Sequence, residues 1–263
     1  VFPAILISLV IGVLIGIWHG FWIAYVGVPA FITTLAGMLI FRGLTMVILQ
    51  GTSLAPFPKS YTFIAAGFIP DVANIDGLNI LAILAGIIAS VLYILNELND
   101  RASKKRYNFE VSSPGAFWAK VISIVAVINA FTYALARYKG IPAVLVIVVL
   151  LVLIYSFITN KTIPGRHIYA YGGNPKAAKL SGVKTKKVLF WVYVNMGFLA
   201  ALAGIIFTGR LNSATPKAGN GFEMDAIASC FIGGASTTGG IGTVVGAIVG
   251  GLLMGVLNNG MSI

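Results

Sequence analysis

Residues 142–159 read PAVLVIVVLLVLIYSFIT, and this run decides the class of fold. A helix of about 20 apolar residues crosses the roughly 30 Å hydrocarbon core of a bilayer, and this run is close to that length. Its apolar residues do not alternate with polar ones, as they would in a strand of a transmembrane β-barrel. Because a lipid-exposed backbone must satisfy its own hydrogen bonds, the run is predicted to be a membrane-spanning α-helix.

The rest of the chain repeats this pattern. Hydrophobic residues make up 58% and charged residues 10% of the 263 residues, against about 25% charged in an ordinary soluble domain. This composition excludes a soluble enzyme and a disordered chain, and a single cysteine excludes a disulfide scaffold. The predicted fold is all-α and polytopic, with one transmembrane domain over residues 1–263. The other apolar segments are 3–24, 29–49, 80–95, 117–136, 188–208 and 243–257, while 224–234 is too short to span regularly.

The basic residues predict the orientation of the chain in the membrane. Of the 18 Lys and Arg residues, 11 lie in the linkers 96–116 and 160–187, whereas the linkers 50–79, 137–141 and 209–223 hold 5. By the positive-inside rule, the first two linkers face the cytoplasm. Residues 50–79 and 209–223 are then external. Because topology explains where the basic residues lie, the net charge of +11 does not indicate a nucleic-acid partner.

Glycines recur at helical spacing near both ends of the chain. This small-xxx-small pattern predicts close helix packing through one face of each helix. The segments GIWHG at 16–20 and GVLNNG at 255–260 also resemble each other, and their helices are predicted to run in opposite directions. That favours inverted-repeat-like halves. The periodic glycines are Gly12, Gly16 and Gly20, and Gly242, Gly246 and Gly250.

A denser glycine cluster reads GGASTTGG at 233–240. Four glycines in eight residues predict a broken helix. Irregular backbone at membrane depth is tolerated only where it is buried in protein or lines a cavity. The break therefore indicates a position beside a translocation pathway.

The cytoplasmic linker contains a short capped helix. Residues 172–182 read GGNPKAAKLSG, in which Asn174 suits an N-cap, Pro175 the first helical position and Gly182 the stop. A helix over 176–181 is too short to be stable alone and needs something to pack against. A partner protein is one candidate, and a surface of anionic lipid headgroups is the alternative. Its predicted apolar contacts are Ala177, Ala178 and Leu180.

This run is similar to the coupling loop of bacterial sugar ABC-transporter permeases of the ribose/xylose type, which share a superfamily with branched-chain amino-acid permeases. Residues 28–43, 218–228 and 232–240 resemble further segments of that family, and linker 96–116 is closest to the xylose-type branch. One departure is Thr237-Thr238, where many relatives carry Ser-Leu-Ala.

The resemblance implies a type II-importer-like permease of the bacterial inner membrane, which works as a dimer, expected to be a homodimer. It implies two cytoplasmic ATPase subunits and a periplasmic sugar-binding protein as partners. It also implies about two or three further spans before Val1 and one after Ile263, so the chain is expected to be a fragment. The residues implied to couple to the ATPase are Gly172, Gly173, Asn174, Pro175, Ala177, Ala178, Leu180, Ser181 and Gly182.

No catalytic motif is expected in the chain. A phosphate-binding P-loop reads GxxxxGK[ST], and residues 172–179 lack its second glycine and its Lys-Ser/Thr pair. ATP and Mg²⁺ are therefore expected on the partner subunit, with no cofactor or metal in this chain. His19 and His167 are far apart in sequence and form no metal-ligand set. The acids Glu223 and Asp225 are expected to stabilise a helix N-terminus.

The predicted mechanism is alternating access to a pathway that offers amides, hydroxyls and aromatic faces to a sugar. Each candidate residue also has a structural alternative: an asparagine can tie helices together, and a tryptophan can anchor a span end. Arg42, inside the second span, either snorkels to the interface or lines a cavity. The candidates are Trp18, Trp22, Arg42, Asn129, Asn195, Asn258 and Asn259.

Two alternatives to a sugar importer remain at this stage. A branched-chain amino-acid permease of the same superfamily would carry a zwitterion, for which an intramembrane charge such as Arg42 would be favourable. A secondary transporter or channel would need no ATPase.

Overall fold

Long apolar helices dominate the computed structural model, which describes residues 1–70, 74–75, 78–107 and 113–261. Seven of the described helices are long and apolar enough to cross a membrane, which confirms the all-α polytopic prediction. The helices are α1 Phe2–Phe21 with a π-helical turn Trp22–Val26, α2 Ala30–Leu49, α3 Lys59–Ala66, α4 Ile80–Arg106, α5 Pro114–Arg137, α6 Ala143–Lys161, α7 Ile163–Gly173, α8 Pro175–Leu180, α9 Thr185–Leu211, α10 Phe222–Ile232 and α11 Val244–Met261. The strands Asn74–Ile75 and Leu78–Asn79 form a minimal antiparallel pair.

Helices α4 and α7 differ most from the prediction, and α3 lies in linker 50–79, where no helix was predicted. Helix α4 continues past Leu95 to Arg106, because its last turn is basic and complements the negative end of the helix dipole. The first part of linker 96–116 is therefore helical, and its residues 108–112 lie outside the described residues, as do 71–73 and 76–77 of linker 50–79. Residues 163–173 form helix α7, where no helix was predicted. Thr162 accepts the N–H of Gly165, and Pro164 occupies the first turn.

The chain divides into two compact units, residues 1–65 with 147–263 and residues 66–146. In the first unit, the glycine face of α1 lies against α9. A Cβ on Gly12 would lie 2.7 Å from the Gly197 carbonyl oxygen, and one on Gly16 would lie 2.7 Å from that of Tyr193. One on Gly20 would lie 3.0 Å from the carbonyl oxygen of Phe190. The two backbones are thus in direct contact along one face.

A second glycine contact in this unit joins α10 and α11. A Cβ on Gly246 or Gly250 would overlap the carbonyl oxygen of Gly233 or Ser229 respectively. Residues 233–243 connect the two helices without regular helix, as the glycine cluster predicts. The connection is held by its own backbone, since Ser236 N–H donates to the Ile241 carbonyl at 3.1 Å.

The second unit is built on the pair α4 and α5. Asn129 Nδ2 donates to Ser90 Oγ at 2.8 Å, and Lys120 Nζ lies 2.6 Å from Glu97 Oε1. A small core of Ala82, Ala136 and Ile141 closes one end.

Helix α6 is poorly covered by the rest of the chain. None of its residues is buried within the chain. Because a bilayer is as apolar as these side chains, such exposure is expected of a lipid-facing helix.

Candidate functional site

Helix α8 is capped at both ends by the residues that suit those positions. Asn174 Oδ1 accepts the N–H groups of Lys176 at 3.1 Å and Ala177 at 3.0 Å. At the other end, Gly182 has a φ of +85°, and its N–H donates to the Lys179 carbonyl. The helix Pro175–Leu180 lies one residue before the predicted 176–181. Some of the N–H and C=O groups that a helix leaves unpaired at its ends are therefore hydrogen-bonded within the chain, before any partner is present.

The apolar residues of α8 do not share one environment. Ala178 is 5% exposed and packs inward, whereas Ala177 is exposed and Leu180 is 90% exposed. All three were predicted to be the apolar contacts of this helix, and within the described chain only Ala178 is covered. Gly173, just before α8, also faces open space, because a Cβ built on it has no atom within 4 Å. Gly173, Ala177 and Leu180 are all exposed, and the three together are called here the α8 surface.

The end of α7 contacts the broken segment directly. A Cβ on Gly172 would lie 3.0 Å from Gly240 Cα, and one on Gly240 would lie 2.7 Å from the Gly173 nitrogen. The Tyr169 hydroxyl donates to the Gly242 carbonyl at 2.8 Å. We call this contact the α7–glycine junction. It joins the predicted coupling loop to the predicted helix break.

Sequence reasoning identified both sides of the junction but not their contact. Glycine clusters at 172–173 and 239–240 were the only signal, since glycine is required where two backbones meet. Tyr169 was not singled out, because its acceptor is 73 residues away.

Asparagines proposed for the pathway form hydrogen bonds to neighbouring helices. Asn195 Oδ1 accepts the Tyr155 hydroxyl, and Asn258 Nδ2 donates to Asp225 Oδ2 at 3.0 Å. Asn129 bonds Ser90 within the other unit. Asn259 follows Asn258 on α11.

The aromatic candidates lie beside a crevice between α1 and α2. The Trp18 ring meets Phe41 at 5.6 Å and Trp22 at 6.5 Å between centroids. Trp18 lines a cavity of about 630 Å³ whose other walls are almost wholly apolar. Arg42 is half-exposed on α2 and is not among the described residues that line this cavity. The cavity has few groups for sugar hydroxyls.

A second cavity, of about 680 Å³, lies between α6, α7 and α9. Lys184 and Lys187 line one part of it, and Tyr155 and Asn195 line another. Two of the helices that line this cavity, α7 and α9, come immediately before and after α8 in the sequence. Sequence reasoning included Asn195 in the pathway but did not predict a cavity at this place.

The described residues offer no metal site, since no three His, Cys, Asp or Glu side chains among them are grouped for a metal ion. Glu223 and Asp225 lie in the first turn of α10, where acids complement the helix dipole.

The comparisons with known proteins agree with this architecture. A model of the family described as branched-chain amino acid transport system / permease component matches residues 1–263. The chain is 39% identical over 258 residues to the xylose transport system permease protein XylH of Haemophilus influenzae, covering 98% of this chain and 67% of that protein. Identity to XylH of Escherichia coli is 35% over 258 residues, covering 98% and 64%.

A ribose import permease protein, RbsC of Bacillus subtilis, is 46% identical over 126 residues, covering 48% of this chain and 39% of that protein. No solved structure matches. The chain spans about two thirds of the length of the XylH proteins it matches. These matches confirm the resemblance inferred from residues 172–182: the chain belongs to the family of branched-chain amino acid transport system permease components.

Proposed function

We propose that this chain is the membrane-spanning part of an ATP-driven importer of a monosaccharide, a xylose-like pentose or a related aldose. The observation that carries the proposal is similarity over 98% of the chain to proteins named as xylose transport permeases. The matched segment includes the capped helix α8 and the broken segment 233–243. Transport would then be non-covalent and driven by alternating access.

ATP hydrolysis is proposed to occur on two separate cytoplasmic subunits that hold ATP and Mg²⁺. The α8 surface supports this arrangement, because Leu180 is 90% exposed on a short helix outside the long spans and so offers apolar area that a partner could bury. Its surrounding residues 172–182 would provide the docking site.

Movement of α8 is proposed to reach the pathway through the α7–glycine junction. Backbone contacts between Gly172 and Gly240 contain no flexible side chain that could absorb a displacement. The Tyr169 hydroxyl adds a directional bond to the same segment. A shift of α7 would therefore displace segment 233–243, which is where a helix break indicates the pathway.

On the external side, residues 50–65 and 209–223 are proposed to bind the periplasmic sugar-binding protein. The two stretches are bonded to each other, since Leu54 and Ala214 exchange two backbone hydrogen bonds at 2.9 Å. Asn212 Oδ1 accepts the Phe57 N–H at 2.9 Å, and the Tyr61 and Thr208 hydroxyls lie 2.7 Å apart. Two loops tied in this way offer one firm surface. A second permease subunit, as a homodimer, would complete the pathway.

Uptake by cells that express the full-length permease with its ATPase and binding protein tests the proposal. We expect accumulation of labelled xylose or a related aldose, and its loss when the ATPase gene is deleted. Uptake of labelled leucine instead of sugar would favour an amino-acid permease. Sugar uptake that survives the deletion would indicate a secondary transporter or channel.

A further inference from the structure

The cavity between α6, α7 and α9 changes character along its length. Its α9 wall runs from Lys184 to Asn195, about 16 Å at 1.5 Å rise per residue. Lys184 and Lys187 lie at the start of this wall, and Val188 and Val192 follow them. On the facing helices, Ile158 and Ile168 are apolar. One end is therefore cationic, and the walls beside it are largely aliphatic. The other polar side chains of the lining belong to Tyr155, Thr159, His167 and Asn195.

The cationic end has no acidic partner in the described part of the chain. Lys184 and Lys187 are exposed, and no carboxylate of the described residues pairs with them. Linker 160–187 contains seven Lys and Arg residues and no Asp or Glu. The N-terminus of the 27-residue helix α9, which has no side-chain cap, begins at the same place. The positive end of the α9 helix dipole adds to the attraction for an anion.

One lining side chain indicates that the cavity lies at the boundary between headgroups and acyl chains. Trp191 lines it and is 64% exposed, as expected of an aromatic ring at the membrane interface. Val192 and Ile168 are partly exposed on the same walls, so the cavity is open at its side. A molecule with an anionic phosphate and an aliphatic tail would contact both parts of the cavity. A free phosphate would contact only the lysines.

We propose that this cavity binds an anionic phospholipid of the cytoplasmic leaflet, with its phosphate at Lys184 and Lys187 and an acyl chain along Val188, Val192 and Ile158. Basic pockets between transmembrane helices on the cytoplasmic side are suited to such headgroups. The lipid would contact α7 and α9, the two helices that flank α8. This inference rests on the coupling role proposed for α8: by holding α7 and α9, the lipid would hold both ends of α8 in place.

The test measures binding of fluorescent dioleoyl phosphatidylglycerol to the purified full-length permease in detergent, without any transport assay. Dioleoyl phosphatidylcholine should compete at least tenfold less well than unlabelled phosphatidylglycerol. The double variant Lys184→Gln/Lys187→Gln should weaken binding about thirtyfold, because each lysine contributes about 1 kcal/mol near an anionic surface. The matched control, Lys104→Gln/Lys105→Gln, removes the same charge from the exposed end of α4 and should change affinity less than threefold.

A second variant tests the aliphatic part of the cavity. Val192→Trp fills the wall without changing the charge and should weaken phosphatidylglycerol binding about tenfold. The proposal is overturned if both lipids compete equally, or if the two lysine pairs behave alike. Displacement of the lipid by millimolar inorganic phosphate would show a simple anion site and would also overturn it. Absence of phosphatidylglycerol binding to the wild type would overturn the proposal as well. If Val192→Trp does not fold, the wild-type competition assay and the two lysine double variants still decide whether the cavity binds an anionic phospholipid.

Discussion

Leu180 lies on a helix of only six residues with nine-tenths of its surface exposed, and α8 is not among the helices long enough to span the membrane. Burial of a leucine contributes about 1.5–3 kcal/mol, so this side chain offers a partner a substantial apolar contact. Its neighbour Ala178 is used for packing within the chain. The residue that anchors the helix and the residue that is free to dock are thus only two positions apart, on different sides of α8.

A matched pair of substitutions separates docking from folding at the start of α8. Gly173→Phe places its side chain in open space, so we expect a folded permease that no longer co-purifies with its ATPase. Gly172→Leu would meet the Gly240 backbone, so we expect lower stability of the permease itself. Co-purification and thermal unfolding in detergent distinguish the two. Normal ATPase association of Gly173→Phe would contradict the docking role of the α8 surface.

The residues of α8 were predictable because their roles are local. Asn174, Pro175 and Gly182 act on backbone groups within three residues of themselves, and cap preferences describe such chemistry directly. The exposure of Leu180 and the bond of Tyr169 depend on how distant segments pack. Sequence spacing contains no information on that packing, so these features required the structure.

At the scale of helices, glycine faces determine which helices meet. The periodic glycines of α1 contact α9, and those of α11 contact α10. Periodicity predicted that these faces pack closely, but it did not predict the partner helix. The extension of α4 and the presence of α7 were also missed, because both lie in charged segments where hydropathy marks no span.

Gly16→Leu should destabilise the first unit strongly. Even a Cβ at this position would lie 2.7 Å from the Tyr193 carbonyl oxygen, so α1 and α9 would have to separate. We expect a loss of about 3 kcal/mol or more, seen as a large drop in the unfolding temperature of the purified protein. Gly251→Leu on α11 is the control, because a Cβ there faces open space. Equal unfolding temperatures for the two variants would contradict the helix contact.

Tyr169→Phe should uncouple ATP hydrolysis from transport. It removes the hydroxyl that donates to Gly242, a bond worth about 1 kcal/mol, while keeping the ring. We expect a folded permease that binds its ATPase but moves fewer sugar molecules per ATP. Tyr171→Phe, two residues further along α7, is the control. An unchanged ratio of sugar to ATP in Tyr169→Phe would show that the junction does not transmit movement.

For the whole molecule, charge distribution predicts how the chain lies in the membrane. Cys230 is exposed and would first be replaced by serine. In that background, a membrane-impermeant maleimide should label Lys217→Cys in intact cells, and Lys186→Cys only after lysis. Both positions are exposed in the structure. The reverse labelling would invert the topology and place α8 outside the cell, away from any ATPase.

The α7–glycine junction also limits which second-site substitutions can restore a destabilised variant of this protein. When a large residue is introduced into an ordinary core, a second substitution that shrinks a neighbour can restore the fit. Gly172 and Gly240 are already the smallest residues possible, and each faces the backbone of the other. A genetic screen for suppressors of Gly172→Ala should therefore yield changes that reposition the backbone, such as insertions or substitutions at 235–238, and none at Gly239 or Gly240 themselves.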